Sequence, residues 1–157
     1  MISSKELIKL LTDSGIRPDV INVQDENFVL PTPEWITNDL SKALNDFFFY
    51  SGIKYEENQY DCNRFAKTAS TIADWCWAKT KTEDAALALG MFGYFYGING
   101  HVITIAVHRD EQGKLYLGFY EPQPSAEEGK VSEIILCLTK RTLYLEDIQS
   151  CISCLFL

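Results

Sequence analysis

The chain has only two histidines among 157 residues, so any search for an acid–base imidazole narrows to His101 and His108. Long apolar runs are missing: none reaches the ~18 residues that a bilayer-spanning helix requires. Basic clusters are missing too. Lys and Arg number 14 against 22 Asp and Glu, the formal net charge is −8, and the longest basic run is Lys140-Arg141. A groove that tracks phosphates needs clustered cations, so nucleic acid is excluded as a partner, and anionic membrane surfaces go with it. The N-terminal stretch Met1–Leu11 carries no signal-peptide core, because Ser3, Ser4, Lys5, Glu6 and Lys9 interrupt its apolar residues. It reads as an amphipathic helix capped by Ser3 or Ser4, in a protein expected to stay in the cytoplasm where it is made.

Five cysteines, at 62, 76, 137, 151 and 154, cannot all pair with one another. With no secretion signal, reduced thiols are expected. The Cys151-Ile-Ser-Cys154 spacing has no second ligand pair and lies in an apolar tail, so these thiols are expected to be buried small hydrophobes. No internal repeat or low-complexity tract divides the chain.

What is present fits one domain over residues 1–157, with 46% apolar and 23% charged residues. A chain this long buries roughly two-thirds of its unfolded surface, enough for a core without metal or disulfide staples. Residues 1–50 read as an N-terminal helical elaboration. A helix over 3–13 is followed by short extended segments at 20–23 and 28–30. A second helix starts at Pro31-Thr-Pro-Glu-Trp35, with Thr32 as N-cap and Pro33 at the first helical position. Ser51-Gly52 ends it. Asp61 caps the next helix, whose apolar stripe runs Phe65, Ala66, Ala69, Ile72, Ala73, Cys76 and Trp77. Strands follow. Asn99-Gly100 has the composition of a two-residue hairpin turn, 101–109 is a Val/Ile-rich strand, and Asp110–Gly113 turns it into the returning strand 115–121. Residues 125–129 read as loop, 134–138 as a strand, and 142–156 as a further strand or short helix. Helices first and a meander afterwards give an α+β fold.

Cys62 directly follows the cap of its helix. Free N–H groups and the positive end of the dipole favour thiolate there, which makes the sulfur nucleophilic. His101 and His108 differ by seven positions on one strand and therefore point to opposite faces. His101 opens the strand at a cleft mouth and is the preferred base, while His108 borders the charged Arg109-Asp-Glu turn and reads as solvated. A hairpin centred between 111 and 112 pairs His101 with about residue 122. Glu121 and Gln123 are then both candidates to orient the imidazole.

The segments Tyr60-Asp-Cys-Asn-Arg-Phe-Ala66, Gly100–Val107 and Tyr120-Glu-Pro-Gln123 resemble motifs of the papain-like domain at the C-terminus of a mushroom agglutinin, and of related small bacterial and phage proteins. The resemblance covers roughly residues 55–125. It implies a papain-like or transglutaminase-like fold, with the nucleophile helix packed on an antiparallel sheet. It also implies Cys62 as nucleophile, His101 as general base and acid, and Glu121 as orienting carboxylate, with Gln59 a candidate oxyanion donor beside the Cys62 N–H. The expected function is a cysteine peptidase or amidase, or an acyl transferase, acting on a peptide or acyl substrate through a thioester. The alternative is a non-catalytic binding or phage/host-interaction module on the same fold. No cofactor is required, although the resemblance allows calcium. A metal held by Cys62, His101 and Glu121 is not expected, because zinc sites usually carry more Cys or His ligands. The sequence leaves the oligomeric state open.

Overall fold

The computed structural model describes residues 1–53, 61–80, 84–96, 99–126, 135–136, 139–141 and 152–156. Its elements are β1 (Ile2–Ser3), α1 (Ser4–Asp13), β2 (Ile21–Asn22), β3 (Asn27–Val29), α2 (Ser41–Ser51), α3 (Cys62–Thr80), β4 (Ala86–Leu87), β5 (Leu89–Tyr96), β6 (Asn99–Arg109), β7 (Leu115–Glu121), β8 (Ser125–Ala126), β9 (Ile135–Leu136), β10 (Thr139–Arg141) and β11 (Ile152–Phe156). The fold is α+β. A six-stranded sheet in the order β10-β7-β6-β5-β11-β2 dominates, beside a three-stranded sheet β1-β3-β4 and the pair β8-β9.

Local chemistry sets the helix ends. The Ser3 hydroxyl accepts from the Glu6 N–H at 3.3 Å while Glu6 Oε2 accepts from the Ser3 N–H at 2.8 Å, a complete capping box. Thr32 Oγ1 accepts from the Trp35 N–H at 3.1 Å and starts the second helix. That helix first runs through a wide π-helical turn over Trp35–Leu40, which apolar periodicity does not reveal, and then enters α2. It stops where Gly52 takes φ +65° and donates to the Phe48 carbonyl at 3.0 Å. Asp61 Oδ1 accepts from the Arg64 N–H at 3.3 Å and starts α3.

The sheet divides two buried clusters by strand parity. Phe92, Ile103, Ile105, Val107 and Phe119 pack with Leu7 and Leu11 of α1. Leu89, Ala106 and Tyr120 pack with Leu44 and Phe48 of α2 and with Phe65, Ala69 and Ala73 of α3. The result is a central sheet with α1 on one face and α2 and α3 on the other. Among the described residues no helix is long and apolar enough to cross a membrane.

Several expectations change. Residues 1–50 are not only helical: they supply β1 and β3 to the small sheet and β2 to the edge of the large one. Asn99 and Gly100 form no turn. They begin β6 and pair with Tyr96 and Phe95. The loop assigned to 125–129 begins with β8, which pairs with β9. The large sheet is not wholly antiparallel either. β11 lies between β5 and β2, antiparallel to the first and parallel to the second. Cys76, expected in the core, is half-buried on α3, where burial pushes its thiol pKa up. Of the Cys151/Cys154 pair, Cys151 lies outside the described residues and only the strand backbone of Cys154 is described.

Candidate functional site

A short polar contact on the large sheet joins His101 to Glu121. His101 Nε2 lies 2.7 Å from Glu121 Oε2, and the two side chains are 21% and 7% exposed. An ionised carboxylate only accepts, so the contact places a proton on Nε2. In the neutral imidazole this leaves Nδ1 with an unshared pair. Glu121 Oε1 also accepts from the Gln123 N–H at 3.3 Å, which holds the carboxylate in place. The Tyr94 ring stands edge-on to the imidazole at 5.9 Å, completing a pair fixed on three sides.

The register explains the pairing. β6 and β7 align Thr104 with Tyr120 and His108 with Tyr116, so paired positions sum to 224. Position 123 is then opposite His101 by extension, and Glu121 is its diagonal neighbour on the same face. A carboxylate on two methylenes spans that diagonal. Glu121, not Gln123, carries the side-chain bond to the ring.

His108 overturns its expected place on the surface. It is fully buried, with Nδ1 donating to the Pro31 carbonyl at 2.7 Å and Nε2 accepting from the Tyr120 hydroxyl at 2.8 Å. The nearby charged turn is closed by its own contacts: Asp110 Oδ1 accepts from the N–H groups of Gln112 and Lys114, and Gly113 sits at φ +84°. The signal that marks His108 is strand parity. It shares the face of Ala106 and Tyr120, against which α2 and α3 pack.

The two histidines do point to opposite faces, but the one on the α3 side is His108. His101 and Glu121 share the face of Ile103 and Phe119, on the α1 side. Cys62 is the first residue of α3, half-buried at the helix start. Among the described residues no hydrogen bond joins its sulfur to His101. Gln59 lies outside the described residues. Among them there is also no group of three or more His, Cys, Asp or Glu side chains able to hold a metal ion.

No protein-family model matches this chain, and no curated protein matches it. Solved structures do. One is the PSL1a-E64 complex, at a TM-score of 0.71 and 15% identity, covering 99% of this chain and 51% of that one. Another is the Polyporus squamosus lectin bound to the human-type influenza-binding epitope Neu5Acα2-6Galβ1-4GlcNAc, at 0.68 and 16% identity, covering 99% and 49%. The chain spans about half the length of these neighbours. At such identities the likeness shows the fold, and it extends the agglutinin resemblance from residues 55–125 to nearly the whole chain. It also corrects the functional expectation. A cysteine hydrolase with a Cys62–His101–Glu121 catalytic triad and a peptide or acyl substrate gives way, because the fold is shared with a lectin solved on a glycan epitope.

Proposed function

We propose that this chain is a non-catalytic binding module whose ligand is a saccharide, and that its papain-like placement of a helix on a sheet serves as a scaffold for recognition. The observation that carries this reading is the likeness, over 99% of the chain, to a lectin solved with a bound glycan epitope. The His101–Glu121 pair fits the role. Glu121 holds the Nε2 proton and fixes the ring, so Nδ1 presents an oriented acceptor to a sugar hydroxyl. Because Glu121 is already committed to that proton, ligand binding leaves no carboxylate stranded in the interior.

The test is a glycan array followed by calorimetry on the best-bound saccharide. One well-oriented hydrogen bond contributes about 1–1.5 kcal/mol, so His101→Ala is expected to weaken binding roughly 5- to 15-fold. Glu121→Gln is expected to act in the same direction, since the amide no longer dictates the tautomer. Failure of the wild-type chain to bind any saccharide overturns the proposal. So does cleavage of a peptide or ester that is abolished by Cys62→Ser.

A further inference from the structure

A patch of exposed aromatic rings lies on α2 and α3, across the sheet from the His101–Glu121 pair. Its origin is in the sequence. Phe47-Phe-Phe-Tyr50 puts four aromatics in succession on one helix, and a helix can turn only part of such a run inward. Phe48 enters the core at 2% exposure, whereas Phe47, Phe49 and Tyr50 are 40%, 71% and 83% exposed, and Trp75 on α3 is 59% exposed. The rings are contiguous. Phe47, Tyr50 and Trp75, with Ala43 and Ile72, wall an open groove of about 810 Å³ between the two helices. The Phe49 ring meets that of Tyr50 edge-on, with centroids 5.4 Å apart. A ridge of two rings thus stands beside an apolar groove on the same face of the chain.

Area and charge select the occupant. A fully exposed Phe, Tyr or Trp presents roughly 150–250 Å², so the four exposed rings leave about 500 Å² of aromatic surface in water. The largest apolar patch on a typical monomer is roughly 300–600 Å² and is often functional. Two such patches brought face to face bury about 1,000 Å², the lower bound for a specific protein–protein contact, before the rest of the groove is counted. The margin asks for no counter-charge. Asp46, the charged residue that lines the groove, is paired with Lys42 Nζ at 2.9 Å. The Thr71 and Ser51 hydroxyls donate to the Lys67 and Phe48 carbonyls of their own helices. Lys79 stands outside the groove, its Nζ 3.3 Å from the centroid of the Trp75 ring. A strongly charged partner gains nothing from a margin so neutralised. A second copy of the chain brings the same margin, a ridge for the groove and a groove for the ridge, the self-complementarity that a two-fold contact requires.

We infer that two copies of this chain associate about a two-fold axis through the α2–α3 face, the Phe49–Tyr50 ridge of each seated in the groove of the other. Because the His101–Glu121 pair lies on the opposite face of the sheet, both copies of it stay open in the dimer. Sedimentation equilibrium on the full chain, from micromolar to millimolar concentration, is the test. The wild type is expected to rise from the monomer mass towards twice that value. Trp75→Ala and Tyr50→Ser are each expected to weaken self-association at least about tenfold, as aromatic anchors at the centre of an interface do. Ile8→Ser, on α1 at 39% exposure, is expected to leave it unchanged. Unchanged circular dichroism checks that the variants fold. Acrylamide quenching of the wild-type tryptophan fluorescence, expected to rise on dilution, reads the same contact without a substitution. Each copy carries a net charge of −8, so added salt is expected to tighten the dimer by screening the repulsion between copies. A wild type that stays monomeric at millimolar concentration overturns the assignment, including the case in which a detergent micelle or an apolar peptide binds the monomer at Trp75. So does a dimer that keeps wild-type affinity in both Trp75→Ala and Tyr50→Ser, or one that salt dissociates, because either is held by another surface.

Discussion

Replacing Tyr120 by Phe isolates one buried hydrogen bond with little change of volume. Tyr120 and His108 are 1% and 0% exposed, and a 2.8 Å bond joins the Tyr120 hydroxyl to the imidazole Nε2. The other ring nitrogen is committed to the Pro31 carbonyl. Removing the hydroxyl deletes a hydrogen bond from a site closed to water, a loss of about 1–3 kcal/mol. For a domain of this size 2 kcal/mol corresponds to roughly 4–8 °C in Tm. His108→Ala removes both bonds and opens a cavity, so about 3–5 kcal/mol is expected. Because the residues share one bond, the double variant should cost less than the sum by about 1 kcal/mol. Urea unfolding followed by tryptophan fluorescence measures all three. The pH dependence adds a second readout. Burial, then Tyr116 and Glu34, push the Tyr120 phenol up to about 12. The folded state therefore holds that proton more tightly than the unfolded chain does. Its contribution is complete below about pH 10, the unfolded value, and is lost as pH rises towards 12, a change on the order of 2–3 kcal/mol. Tyr120→Phe should flatten that alkaline limb relative to wild type. A cost under about 0.3 kcal/mol, together with an unchanged alkaline limb, would refute the reasoning.

Further outcomes follow from the same structure. Gly118→Ala should destabilise by about 2 kcal/mol or more in urea unfolding, because its Cβ would stand 2.5 Å from His108 Nε2, a ring held at both nitrogens. Gly52→Ala should cost about 1 kcal/mol through backbone strain alone, since φ is +65° and nothing lies within 4 Å of the added carbon. Ser3→Ala removes the cap of α1 and should lower stability by about 1 kcal/mol, with Tm the convenient measure. For Asp74, burial and then the nearby Asp25 raise the carboxyl pKa above its usual value. The folded state thus binds that proton more tightly, and its stabilising share is lost as pH rises through the raised pKa. Asp74→Asn should be relatively more stable at pH 7 than at pH 3.5 when both unfolding curves are compared with wild type.

Much of the fold was legible because short-range chemistry decides it. Ser3, Thr32 and Asp61 cap the helices the sequence assigns to them, and Gly52 and Gly113 take the left-handed turns their positions suggest. The misses come from pairing over distance. Asn99-Gly100 has turn composition, yet the register that aligns Tyr94 with His101 and Leu89 with Ala106 is set by which residues each face must bury. The position of β11 between β5 and β2 depends on strands separated by most of the chain, for which no local signal exists. The π-helical turn at Trp35–Leu40 keeps an apolar pattern close enough to 3.6 to hide the extra residue.

The candidate site shows how a sound local inference can be redirected by one global fact. The period of two was enough to place His101 and His108 on opposite faces, and the hairpin arithmetic missed the observed pairing sum by one, 223 against 224. That single step still brings Glu121 to the ring, because a diagonal pair on one face is within reach of a long carboxylate. What parity cannot supply is which face each helix covers. Helix α3 covers the face of Ala106 and Tyr120, so the imidazole beneath it is the buried, doubly bonded His108, whose ring is a structural clamp between the sheet and the segment leading into α2. His101 keeps an oriented and partly exposed edge on the other face, with its partner already satisfied.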